Sequence, residues 1–91
     1  AVIFHGFIGS KEQAQRAVAQ GFYLSFGERT FRSTKTIEAM RSTPLSSLFV
    51  ETDDSNTPIE EIYDKIAELR GISTAELKEA TERNFRAIFN S

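Results

Sequence analysis

A chain of 91 residues, 40% of them hydrophobic, makes one small globular unit with a marginal core and argues against a second domain. Its formal net charge of −2 and pI near 5.4 argue against a nucleic-acid or membrane surface driven by bulk charge, although a local metal can still draw phosphate. The absence of cysteine excludes a disulfide framework and a thiolate metal site and suits the cytoplasm, while no apolar run reaches membrane-span length and nothing resembles a signal peptide.

Residues 1–5 read as a core-type strand with no initiating Met and no polar lead-in, so the chain is expected to be a fragment that starts inside an architecture. His5 stands at the end of that strand, and Gly6 and Gly9 allow a tight turn into a helix. Ser10 with Gln13 fits a capping box, Ala14, Ala17 and Val18 share one face, and Gly21 stops the helix after Gln20. Phe22 to Phe26 form the second strand, whose aromatic residues belong to the core rather than to a base-stacking platform. Glu28, Arg29 and Thr30 follow in a loop, with Glu28 read as a solvated acid and Arg29 and Arg32 as exposed cations.

Ser33 caps a short helix over about 34–41 with Ile37 and Met40 facing inward, and Pro44 and Leu45 lead into a third strand at 47–51. That strand, Leu48-Phe49-Val50-Glu51-Thr52-Asp53, is an apolar run that ends in two carboxylates, and Asp54, Ser55 and Asn56 close it with turn formers. Thr57, Pro58 and Glu60 predict a helix start, and Ile59, Ile62, Tyr63, Ile66 and Leu69 recur at helical spacing up to Arg70 and Gly71. A second box, Ser73 with Glu76, opens a last helix whose apolar face is Leu77, Ala80, Phe85, Ile88 and Phe89, with a break expected near 82–84.

Strands alternating with helices specify parallel strands joined by crossovers, and ligands of such sheets sit outside the carboxyl ends of the strands. Those ends carry His5, Glu28, and Glu51 with Asp53. If the strands are neighbours, His5 and Asp53 reach one cation, because neutral imidazole and carboxylate suit a borderline divalent ion such as zinc or manganese. A lone histidine at a strand end also fits a hydrogen-bonded structural imidazole, Asp53 also fits a helix-initiating acid, and Glu51 also fits a buried, paired acid.

The stretches from Phe4 to Ser10 and from Gly21 to Gly27, the Pro44-Leu45 approach to Leu48-Phe49-Val50-Glu51-Thr52-Asp53, Leu69-Arg70-Gly71-Ile72-Ser73, and Asn84-Phe85 together resemble the C-terminal part of the TatD family. The resemblance implies an α/β fold that is the C-terminal slice of a TIM (β/α)₈ barrel, about three βα units plus a final helix, with residues 1–91 a portion of one hydrolase domain. It implies a metal-dependent deoxyribonuclease of the amidohydrolase superfamily, with DNA as substrate and a divalent zinc, magnesium or manganese ion. By position, His5 resembles the metal-ligating histidine of the sixth strand, and Asp53 the aspartate of the eighth that binds metal and orients or deprotonates water. Glu51 matches the acid of the Glu-Thr-Asp signature, in a supporting role. The family's His-x-His, shared glutamate and fifth-strand histidine would precede Ala1, so the slice alone is expected to be inactive and to self-associate through raw sheet edges. Ile8 replaces a usually polar residue, and the loop after Asp53 is shorter than the family's. The alternatives are a non-catalytic binding or assembly module, or a hydrolase of another ester, amide or phosphate.

Overall fold

The structure is a computed structural model that describes residues 2–52 and 56–89. Its order is β1 (Ile3–Phe4), α1 (Lys11–Ala19), β2 (Tyr23–Phe26), α2 (Thr34–Ser42), β3 (Leu48–Val50), α3 (Ile59–Arg70) and α4 (Thr74–Phe89), with 3-10 turns at Glu28–Arg32 and Leu45–Ser47. The three strands are parallel in the order β1-β2-β3, with Phe4 opposite Leu24 and Leu24 opposite Leu48. Alternation along the strands then sorts the residues by face. Leu24, Phe26 and Leu48 turn toward the helices and are fully buried with Met40, Ile62, Ile66 and Leu77. The other face carries Ile3, Tyr23, Ser25 and Phe49, and the Tyr23 and Phe49 rings tilt together at 5.5 Å.

The expected caps form. Ser10 and Gln13 make a reciprocal box, Ser33 accepts from the Thr36 amide, and Ser73 accepts from the Glu76 amide. Several expectations change. The first strand is only Ile3–Phe4, and Ala1 lies outside the described residues. Glu28–Arg32 is a 3-10 turn rather than a loop, and Pro58 takes the N-cap position of α3, one residue after the expected Thr57. In α2 the fully buried positions are Thr36, Ala39 and Met40, with Ile37 half-buried, because small side chains let α2 approach α1 and let Thr36 Oγ1 accept from the Gly9 amide at 3.3 Å. No break interrupts α4: Asn84, within the suspected interruption, is buried and donates to the carbonyls of Leu45 and Leu48. Phe85 and Phe89 are not core but 54% and 60% exposed. Among the described residues no helix is long and apolar enough to cross a membrane.

Candidate functional site

The carboxyl edge of the sheet is built by two turns. After β1 the chain reverses through His5 and Gly6, whose φ of +61° is a left-handed value that suits glycine, and the Phe7 amide then donates to the Ser25 carbonyl at 3.0 Å. Gly9 is needed for a different reason. A Cβ there would lie 2.7 Å from Gln13 Oε1 and 2.9 Å from Phe7 Cζ, inside the capping box that starts α1. On the far strand the Glu51 amide donates to the Phe26 carbonyl at 3.0 Å, which carries the sheet register one residue past β3.

His5 and Glu51 thus stand on the two outer strands, about two strand spacings or roughly 10 Å apart in backbone. Their side chains close that gap: His5 Nδ1 and Glu51 Oε1 are 3.2 Å apart although 46 residues separate them in sequence. The middle strand makes room. On the face they share it presents Ser25 and then, in continued extended backbone, Gly27, a small side chain followed by none. The His5 side chain is 74% exposed and that of Glu51 only 21%, so the carboxylate is the held partner and the ring faces solvent. Beneath them lies an apolar hollow of about 260 Å³ walled by Ile3, Ser25, Phe49, Phe85 and Phe89.

The third acid at this edge is employed elsewhere. Glu28 Oε2 is buried and lies 3.0 Å from Arg32 Nη2, which corrects the expectation of a solvated acid, while the Arg32 side chain is 69% exposed, as expected. Phe26 is core and meets Phe7 edge to face at 5.7 Å, as expected of a strand aromatic, whereas Phe22 and Tyr23 are half-buried. Asp53 lies outside the described residues. Among the described residues no three of His, Asp and Glu gather as a metal cluster.

Sequence reasoning did not assign roles to Arg70 or Asn84, which hold backbone carbonyls at the end of α2 and at the amino end of β3, the opposite end of that strand from Glu51. Arg70, at the end of α3, donates to the Met40 carbonyl at 2.7 Å and also to the Thr43 carbonyl, filling acceptors that the end of α2 leaves open. Desolvation first, and the like charge of Arg41 second, lower the Arg70 pKa. The signal available in sequence was polarity at positions where the helical period points inward.

A family model described as TatD related DNase matches residues 1–90. The uncharacterized metal-dependent hydrolase YcfH of Escherichia coli K12 is 32% identical over 103 residues, which cover 97% of this chain and 39% of YcfH. Human deoxyribonuclease TATDN3 is 29% identical over 99 residues, covering 97% of this chain and 36% of that protein. The crystal structure of YJJV, a TatD homologue from Escherichia coli K12, superposes with a TM-score of 0.86 at 30% identity over 100% of this chain and 41% of the other. The chain therefore spans about two fifths of the length of the relatives it matches, and the α/β slice of a TIM barrel expected from its sequence stands.

Proposed function

The chain belongs to the family of TatD related DNases, and from that premise we propose that residues 1–91 are the C-terminal portion of a single barrel domain that hydrolyses DNA phosphodiester bonds with a divalent metal. The observation that supports it most is the convergence of His5 and Glu51 at the carboxyl edge of parallel strands, where barrel enzymes keep their chemistry. The donor set fits a divalent ion. The exposed imidazole has one nitrogen on a carboxylate and its other edge toward solvent, which is the arrangement of a metal-binding histidine with its supporting acid.

In this reading His5 and Asp53 are protein ligands, and Asp53 also orients the attacking water and takes its proton. A divalent ion held by His5 and Asp53 would supply Lewis acidity, lowering the pKa of a water toward neutrality. Zinc and manganese fit a His and Asp pair, whereas magnesium, which prefers oxygen ligands, would rest mainly on the carboxylate. Two protein ligands fall short of the three that catalytic sites usually provide, so the remaining ligands come from the rest of the barrel and the 91-residue chain alone is inactive. A cytoplasmic setting goes with this proposal.

The test is DNA cleavage by the complete protein in the presence of manganese or magnesium. Chelation abolishes cleavage, and His5→Ala and Asp53→Asn each lower it by about 10²–10⁴-fold, while the isolated 91-residue chain shows none. Cleavage that survives both substitutions sinks the proposal, and so does metal-dependent cleavage by the isolated chain as a monomer.

A further inference from the structure

The geometry points to Glu51 as a positioning residue that selects the tautomer of His5, placing the proton on Nδ1 and the lone pair on Nε2. The inference deepens the metal-ligand reading of His5 and takes its catalytic meaning from it, but its physical content stands without any metal. An ionised carboxylate only accepts hydrogen bonds, so the ring nitrogen 3.2 Å from Glu51 Oε1 must be the donor. In a neutral imidazole the other nitrogen is then the acceptor. Glu51 is itself held: its amide is tied to the Phe26 carbonyl at 3.0 Å, and its side chain is only 21% exposed. Gly6, whose Cα lies close enough that an added Cβ would meet Glu51 Oε2 at 3.7 Å, closes the carboxylate's other side. Ser25 and Gly27 keep the space between the outer strands open for the contact. The pair therefore presents a ready lone pair at Nε2 before any cation arrives, which removes a tautomer exchange from the cost of binding.

His5 is the only histidine in the chain, so a long-range ¹H–¹⁵N spectrum of uniformly labelled protein contains a single imidazole. Recorded at pH about 8.5 with chelator, where an imidazole is neutral, the unmodified chain shows the Nδ1–H form in at least roughly tenfold excess, equivalent to about 1.4 kcal/mol. Glu51→Ala loses that excess. Glu51→Asp, which keeps the charge but is one methylene short, loses it too, and Glu51→Gln, whose amide oxygen can still accept, retains part. An Nε2–H form in the unmodified chain overturns the inference, as does a ratio that Glu51→Ala leaves unchanged. The unmodified chain decides the matter even if a variant fails to fold. The zinc content of the complete protein with and without His5→Ala addresses the separate ligand reading. A loss of zinc supports that reading, and an unchanged zinc content beside an intact Nδ1–H tautomer sinks it while the positioning role stands.

Discussion

Asn84 Nδ2 donates to the Leu48 carbonyl at 2.8 Å and, at the same distance, to the Leu45 carbonyl. A side chain in the middle of α4 thereby supplies the donor at the start of β3, the strand that carries Glu51. Both carbonyls face the interior and an amide fills them with one nitrogen. Asn84→Ala removes the donor and leaves two buried acceptors short of a partner, at an expected loss of about 2–3 kcal/mol in urea unfolding with an unchanged slope. Asn84→Asp is worse, because it turns an acceptor toward two acceptors. An alanine variant within about 0.5 kcal/mol of the parent shows that water replaces the amide without loss.

Arg70 performs the equivalent task for α2. Its guanidinium spans the Met40 and Thr43 carbonyls from thirty residues away in sequence, and Arg41 repels it from the same helix end. Arg70→Met is expected to cost about 2–3 kcal/mol, and Arg70→Lys to restore only part of it, because both bonds come from one guanidinium nitrogen, Nη1, at a reach the shorter lysine stem does not match. The lowered pKa means that the unfolded chain holds the proton more tightly than the folded one, so the cost of keeping Arg70 charged is complete below the folded value and eases only as pH rises through it. Arginine stays protonated through the working range, so the gap between Arg70→Met and the parent is flat from about pH 6 to 9. A gap that changes steeply across that range rules this account out.

Lys78 gives the opposite sign. Its pKa is raised by the hydrogen bond to Glu60 at 2.6 Å, which outweighs desolvation, the next-largest effect, while the charges of Glu60 and Asp64 add to the rise. A base whose folded pKa is raised contributes stability that is complete below its ordinary value of 10.5 and disappears as pH climbs through the folded value. The melting temperature of Lys78→Met should therefore lie slightly below the parent's at neutral pH and meet it above that range, and salt should narrow the gap. Equal melting temperatures at neutral pH and low salt would show that this exposed pair contributes nothing.

Much of the site was legible before the fold was seen, for local reasons. Ser10 with Gln13 and Ser73 with Glu76 are helix starts whose chemistry is complete within four residues, and the first of them bounds the strand before it and so leaves His5 at that strand's carboxyl end. The contact between those two was not legible, since it depends on which strand lies between the outer ones and on Ser25 and Gly27 being small on the shared face. Glu28 was misread because its carboxylate folds back against the chain, with Oε2 buried and 3.0 Å from Arg32 Nη2, a placement that composition does not announce. Asn84 looked like an interruption because a polar residue inside a helix is ordinarily a break, and only the carbonyls of Leu45 and Leu48 explain it.

Phe85 and Phe89 show the limit of periodicity from the other direction: helical spacing says that a face is apolar, not that its partner belongs to the same 91 residues. Their rings lie 4.5 Å apart and remain 54% and 60% exposed beside β3, while Phe4 on β1 and Val2 just before it are 45% and 51% exposed at the opposite edge of the sheet. Two apolar edges on a three-stranded parallel sheet favour head-to-tail association of copies. Sedimentation velocity of the isolated chain is expected to show mass rising with concentration, and the double variant Phe85→Ser, Phe89→Ser to shift it toward monomer. Because both rings are already largely in water, that variant should change unfolding stability by no more than about 1 kcal/mol. A parent that sediments as a monomer at every concentration, or a double variant that unfolds at once, means that these rings are covered within the chain and that the sheet edges are not adhesive.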